Sequence, residues 1–253
     1  MTITFYDIPS DRVGAWSSNT WKTRFCLNYK GIPYKTVWVE YPDVEELSKK
    51  LGLKPTGKAF WDAGKDYYSL PAIHDPSTGE YVSDSFKIAE YLEKQYPDAP
   101  SLFPNNGTGL QAAVTDEDIV ALSANLWSFI LPAVFEILNP RSREYFDRTR
   151  SMIFKVDKIT DLVPTADKAV EEWAKFKASL DKVDGWYAKT DDKGPFILGD
   201  TISFSDLNIA SWILWMKIVF GENSKEWKDI ASWNGGRWSK LLADLDKYAQ
   251  KRD

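Results

Sequence analysis

The run Ser17-Ser18-Asn19-Thr20 stands between Trp16 and Trp21, with Lys22-Thr23-Arg24 directly after it. It follows the strand-like Ile3-Thr4-Phe5-Tyr6-Asp7 and opens a helix expected from about Asn19 to Lys30, closed by Gly31 and Pro33. A strand that turns through small hydroxyl and amide residues into a helix aims unpartnered N–H and O–H groups at one point. That point is an anion site, because the helix dipole is positive there. The same residues are ordinary N-caps, so capping and anion binding both stay open on the residues alone.

Two further places carry polar chemistry. Leu70-Pro71 begins the strand that runs to His74, and Asp84-Ser85 opens an amphipathic helix that ends before Pro97. Asp84-Ser85 also reads as a simple cap. Ser203-Phe204-Ser205-Asp206 is a capping box with Asp in the Glu position, and it belongs to folding rather than catalysis. Cys26 lies inside the first helix as a small apolar side chain, and His74 lies in a strand as a structural residue. A serine hydrolase would have to pair Ser17 or Ser18 with His74, the one histidine present. No Gly-x-Ser-x-Gly elbow supports that.

Composition narrows the classes. With 253 residues, 43% hydrophobic, the chain can bury a full core. A net charge of −5 and no dominant basic cluster argue against nucleic acid or anionic lipid as a partner. No run of about 18 apolar residues occurs, and Met1-Thr2-Ile3-Thr4-Phe5 lacks the features of a secretory signal. A single cysteine excludes an internal disulfide and a cysteine-based metal cluster, and a single histidine excludes a His-rich metal site. The single cysteine also fits a cytoplasmic protein. Eight of the 12 tryptophans follow residue 100, giving the second half ample aromatic surface for packing or for flat ligands.

The elements that must position these residues read in order. A second strand is expected over Tyr34 to Tyr41, then a short helix from Asp43, and a loop through Pro55, Gly57 and Gly64. A hairpin around Asp75-Pro76-Ser77-Thr78-Gly79 follows, then the helix from Asp84-Ser85 to Tyr96. This is βαβ-α-ββ-α over residues 1–97. Residues 98–108 read as a linker, and residues 109–253 as an all-helical domain. Within the latter, a long helix from Gln111 to Leu138 should be kinked or divided at Pro132. Further helical stretches are expected from Arg141 to about Leu162, from Thr165 to about Lys189, and from Leu207 to Phe220.

Ser17, Leu70-Pro71, Asp84-Ser85 and the helical second half together resemble a glutathione transferase, a thioredoxin-like domain followed by a helical one. Trp16 to Arg24, Asn28-Tyr29-Lys30-Gly31-Ile32-Pro33-Tyr34-Lys35 and Trp38-Val39-Glu40-Tyr41-Pro42 are similar to the fungal-specific class A (FuA) transferases of wood-decaying fungi, relatives of the bacterial lignin β-etherases. The resemblance implies that Ser17 donates to the glutathione sulfur and favours its thiolate. Ser18 stands where that family often has proline, so Ser18 and Asn19 remain alternative donors. Lowering a thiol pKa by two units takes about 2.7 kcal/mol. A hydrogen bond to a charged group supplies roughly 1.5–3 and a helix N-terminus roughly 0.3–1, which suffices without a metal. The resemblance further implies a cis Leu70–Pro71 bond beside the cysteinyl part, with Asp84 and Ser85 at the γ-glutamyl end and Lys54 or Lys58 at the glycyl carboxylate. Trp16, Trp127 and Phe129 would wall a hydrophobic acceptor site, and the chain would form a homodimer. Two functions follow as expectations: conjugation of glutathione to aromatic electrophiles, including etherase-like detoxification, or ligandin-type carriage of aromatic compounds with little turnover.

Overall fold

The structure is a computed structural model that describes residues 2–123, 125–190 and 193–251, without the side chains of 63 and 117–123. In chain order the first domain holds β1 (Ile3–Asp7), α1 (Ser18–Tyr29), β2 (Tyr34–Trp38), α2 (Val44–Lys50), β3 (Gly57–Ala59), β4 (Asp62–Tyr67), β5 (Ala72–Asp75), β6 (Glu80–Ser83) and α3 (Ser85–Gln95). Four strands form one sheet in the order β2-β1-β5-β6; β1 runs parallel to β2, and the remaining pairs are antiparallel. A parallel pair needs a crossover, and α1 is that crossover. The domain is thioredoxin-like, as expected.

The second domain is helical among its described residues: α4 (Thr108–Ser123), α5 (Trp127–Ile137), α6 (Pro140–Phe154), α7 (Ala166–Tyr187), α8 (Phe204–Phe220) and α9 (Lys225–Asp244), the last interrupted at Trp233–Gly236. No described helix is long and apolar enough to cross a membrane.

Three expectations need correction. The stretch read as a loop through Gly57 and Gly64 contains the β3–β4 hairpin, with Gly57 opposite Tyr67 and Lys58 opposite Asp66. Its strands are polar and short, so no alternation marks them. The pairing is instead held by aromatic contacts, Tyr67 against Trp61 at 5.4 Å and against Phe60 at 6.2 Å. The long helix is divided, but before Trp127 rather than at Pro132, which sits inside α5. There its missing N–H forfeits only one bond of a short helix. The helix from residue 141 ends at Phe154 because Lys155 turns left-handed at φ 55°; a separate single turn, Ile159–Leu162, follows.

α1 is buried on nearly every side, although six of its ten buried residues are polar or charged. Lys22, Arg24 and Asn28 of α1, and Lys30 at its C-cap, tie it to different neighbours. Arg24 Nη2 donates to Asp7 Oδ2 on β1 at 2.8 Å, with both side chains fully buried, and its guanidinium lies over Phe5 and Tyr34. Lys30 Nζ reaches Glu93 of α3 and the carbonyl of Pro100, each at 3.0 Å. Lys22 Nζ lies 5.6 Å from the ring centre of Trp212 on α8. Asn28 Nδ2 donates to the carbonyls of Tyr248 (2.7 Å) and Gln250 (2.9 Å). The expected capping box starts α8: Ser203 N and Oγ donate to Asp206 Oδ2 at 2.9 and 2.7 Å. Asp206 Oδ1 accepts from Ile197 N, which pins the preceding loop to the helix.

Candidate active site

The loop after β1 delivers Ser17 as the N-cap of α1, extended at φ −67° and ψ 128°. Its carbonyl accepts from Trp21 N (3.0 Å) and Thr20 Oγ1 (3.1 Å), while its hydroxyl makes no capping bond. The cap residue therefore leaves its O–H for something else. Ser18 and Asn19 lie in the first turn; Ser17 and Ser18 are each 6% exposed, and Asn19 Oδ1 accepts from Lys22 Nζ at 3.1 Å.

Leu70–Pro71 is a cis peptide bond at the entrance to β5. The carbonyl of Pro71 accepts from Asp84 N, so the proline strand and the start of α3 are joined. Asp84 takes φ 83° and caps α3 by accepting from Phe86 N (3.0 Å) and Lys87 N (3.1 Å) through Oδ1. No described neighbour bonds its second carboxylate oxygen.

Three cavities meet at the start of α1. The first, about 350 Å³, is lined by Asn19, Lys22, Ser69, Leu70, Pro71, Asp84 and Ser85, with Thr115 and Asp116 of α4 opposite. The second, about 440 Å³, is aromatic: Trp16, Ser17 and Ser18 face Trp61, Trp127, Leu131, Phe146, Arg150, Trp212 and Trp215. A third, of only about 50 Å³, is lined by Ser17, Asn19, Tyr41, Ser69, Leu70 and Arg150. Asn19 and Ser69 line all three, and Ser17 lines the second and third. The two larger volumes fall in the range of small-molecule sites. A polar trough that carries the carboxylates of Asp84 and Asp116 thus adjoins an aromatic hollow, with the hydroxyl of Ser69 among the shared lining residues.

Not every expected residue comes to this place. Lys58 stands on the hairpin, paired with Asp66 at 2.6 Å, and does not line any of the three cavities; Lys54 is exposed and does not line them either. Phe129 faces away from the aromatic hollow and packs on Trp173 at 5.0 Å, whereas Trp127 on the same helix lines it. His74 stacks on Tyr81 at 4.1 Å, three residues along β5 from Pro71 or about 10 Å by the strand rise. A Ser–His pair is not formed. Burial pushes the Cys26 thiol well up, in keeping with an inert side chain. Among the described residues no group of three or more His, Cys, Asp or Glu side chains could hold a metal ion. Tyr41, Ser69, Trp61, Arg150, Trp212 and Trp215 were not expected in the site. Of these, only Ser69, next to Leu70-Pro71, carried a usable sequence signal.

A thioredoxin-like sheet with a cis-proline beside the first helix, closed by a helical domain that walls the cleft, defines the glutathione transferase class. The chain belongs to the glutathione S-transferase family. Its residues 16–95 match the family's N-terminal domain and residues 109–248 its C-terminal domain. It is similar to a glutathione S-transferase of Ceriporiopsis subvermispora, CsGST63524, solved in complex with glutathione. That match has 42% identity, covers 100% of both chains and has a TM-score of 0.94. Glutathione transferase GSTFuA2 from Phanerochaete chrysosporium is similar at 41% identity, also over 100% of both chains, with a TM-score of 0.91. The glutathione S-transferase-like protein ustS of Aspergillus flavus is 30% identical over 94% of this chain and 87% of its own length.

Proposed function

We propose that the chain is a serine-type glutathione transferase that joins glutathione to aromatic electrophiles. The polar trough takes the tripeptide: Asp84 and Ser85 meet the γ-glutamyl ammonium and carboxylate, and Leu70 offers main-chain groups to the cysteinyl part. The thiol then lies at the start of α1, where Ser17 Oγ–H donates to the sulfur and the helix end favours its anion. The thiolate attacks a carbon of the electrophile held in the aromatic hollow, and the displaced group leaves with the electron pair. The observation that carries this reading is the Ser17 hydroxyl, which makes no capping bond and lines the hollow beside the trough. Ser18 lines the hollow but not the small cavity that adjoins the trough, so Ser17 is favoured.

Ser17→Ala tests it. Losing one hydrogen bond to a charged group should lower kcat/KM for conjugation of a neutral nitroaryl halide by roughly 10- to 100-fold with thermal stability held. Unchanged turnover moves the role to Ser18 or Asn19. A carrier is the second reading, favoured by the five tryptophans Trp16, Trp61, Trp127, Trp212 and Trp215 around one hollow. No conjugation across a panel of electrophiles, beside tight binding of a fluorescent naphthalene dye, would select it.

A further inference from the structure

The aromatic hollow has an unbalanced polar lining. Its described lining contains no Asp or Glu, and its one charged side chain is Arg150 of α6. The chain as a whole is acidic, at −5, so a cationic hollow runs against the overall charge. Arg150 is half-buried, and no described carboxylate pairs with it. Its guanidinium is held by rings instead, 4.9 Å from Phe146, 5.3 Å from Tyr41 and 6.0 Å from Trp61. One of its donors goes to Thr149 Oγ1 at 2.8 Å, which leaves most of the five N–H groups without a described acceptor. Around the same hollow, the buried indole N–H groups of Trp16, Trp212 and Trp215 also have no partner. Buried donors without acceptors cost about 1–3 kcal/mol each, so three such indoles beside a half-buried arginine mark a place that lacks acceptors.

We propose that this hollow is a site for aromatic acids, with Arg150 as the receptor of the ligand's carboxylate. The planar fork of a guanidinium matches a carboxylate through two parallel hydrogen bonds, and a half-buried position strengthens them. The ring cage fixes the fork, so little freedom is lost on binding. The tryptophans stack on the flat body of the ligand. For conjugation, the assignment rests on reading the hollow as the acceptor site. The thiolate then adds to an activated ring carbon while Arg150 holds the acid group away from the reacting centre. Binding of the acid itself needs no turnover.

The test compares 2-naphthoate with its methyl ester by calorimetry on the full chain, without glutathione. The acid should bind roughly 10- to 100-fold more tightly, the worth of a hydrogen-bonded charge. Arg150→Met should bring the ratio of the two dissociation constants close to one, and Arg150→Lys should restore part of it. A wild-type protein that binds the ester as well as the acid overturns the proposal even if no variant folds. So does an Arg150→Met protein that keeps the preference. An Arg150→Met protein that chiefly loses glutathione affinity overturns it too, by assigning the arginine to the tripeptide. Failure of the serine mechanism reads out separately, in the Ser17→Ala assay with a neutral electrophile. A kinetic arm uses 4-chloro-3-nitrobenzoate and its methyl ester, where the C–S bond forms and chloride leaves. Normalised to the uncatalysed rates, kcat/KM should favour the acid in the wild type and lose that preference in Arg150→Met.

Discussion

At the scale of single residues, the fold uses carboxylates as collectors of donors. Asp75, at the end of β5, accepts from Ser77 N and Oγ through Oδ1 at 2.8 and 2.6 Å. Its Oδ2 accepts from Tyr91 and Tyr96 hydroxyls at 2.9 and 2.6 Å. Burial alone would push this carboxyl up, but the donors from Ser77, Tyr96 and Tyr91 hold it below the usual carboxylate range. A folded-state value below the unfolded one stabilises the fold above the unfolded value, near 3.9. That stability is lost as pH falls through the depressed value. Urea midpoints between pH 6 and pH 3 should therefore fall less steeply for Asp75→Asn than for the wild type, from a lower start. Parallel curves would remove the carboxyl from the account. The same residue scale explains which chemistry was legible. Ser17, Pro71, Asp84 and Ser85 are polar or conformationally special and stand at element boundaries, where sequence carries a signal. Arg150 sits inside the amphipathic α6 and Trp212 inside α8, buried almost all round, where periodicity cannot separate a cavity wall from the core.

At the scale of elements, α1 is a buried helix made largely of polar residues, and its placement rests on specific pairs more than on an apolar stripe. The Arg24–Asp7 pair is the strictest of these, being fully removed from water. Burial pushes the Asp7 carboxyl up, against the pull of Arg24. Removing only the arginine strands a buried charge, so Arg24→Met should cost about 3–5 kcal/mol. Adding Asp7→Leu should recover much of that loss, since an apolar replacement of a buried pair is often neutral. A double-mutant cycle in urea decides it, and additive losses would show the pair to be uncoupled. The β1–α1–β2 unit and the α8 capping box could be read in the sequence because local chemistry and tertiary packing agree there. The β3–β4 hairpin could not, because its register comes from Tyr67, Trp61 and Phe60 meeting across the turn. The break before Trp127 was equally hidden, since neither glycine nor proline marks it.

At the scale of the whole molecule, the second domain supports the first twice. It walls the hollow with α5, α6 and α8, and its final segment returns to the back of α1. Tyr248 packs edge-on against Tyr29 at 5.2 Å, and the Gln250 carbonyl also accepts from Tyr34 Oη at 3.2 Å. Asn28→Ala removes both Asn28 bonds to this segment, so it should cost about 1–2 kcal/mol. A melting temperature lower by about 2–8 °C would follow for a chain of this size. Thermal scanning checks the loss, and faster amide exchange over residues 245–251 should accompany it. Unchanged exchange there would mean that the aromatic contact alone holds the segment.

The return of the chain to Asn28 also fixes an order of assembly in time. Tyr248 is translated 220 residues after the side chain it must meet. At about 5–20 residues per second, a ribosome needs roughly 10–45 s to cover that interval. The last strand of the sheet is complete at Ser83, and from then until Tyr248 is made the helix that presents Ser17 has its sheet but no brace behind it. The sheet beside the polar trough is therefore complete early, and the contacts behind α1 form only once residue 248 has been made.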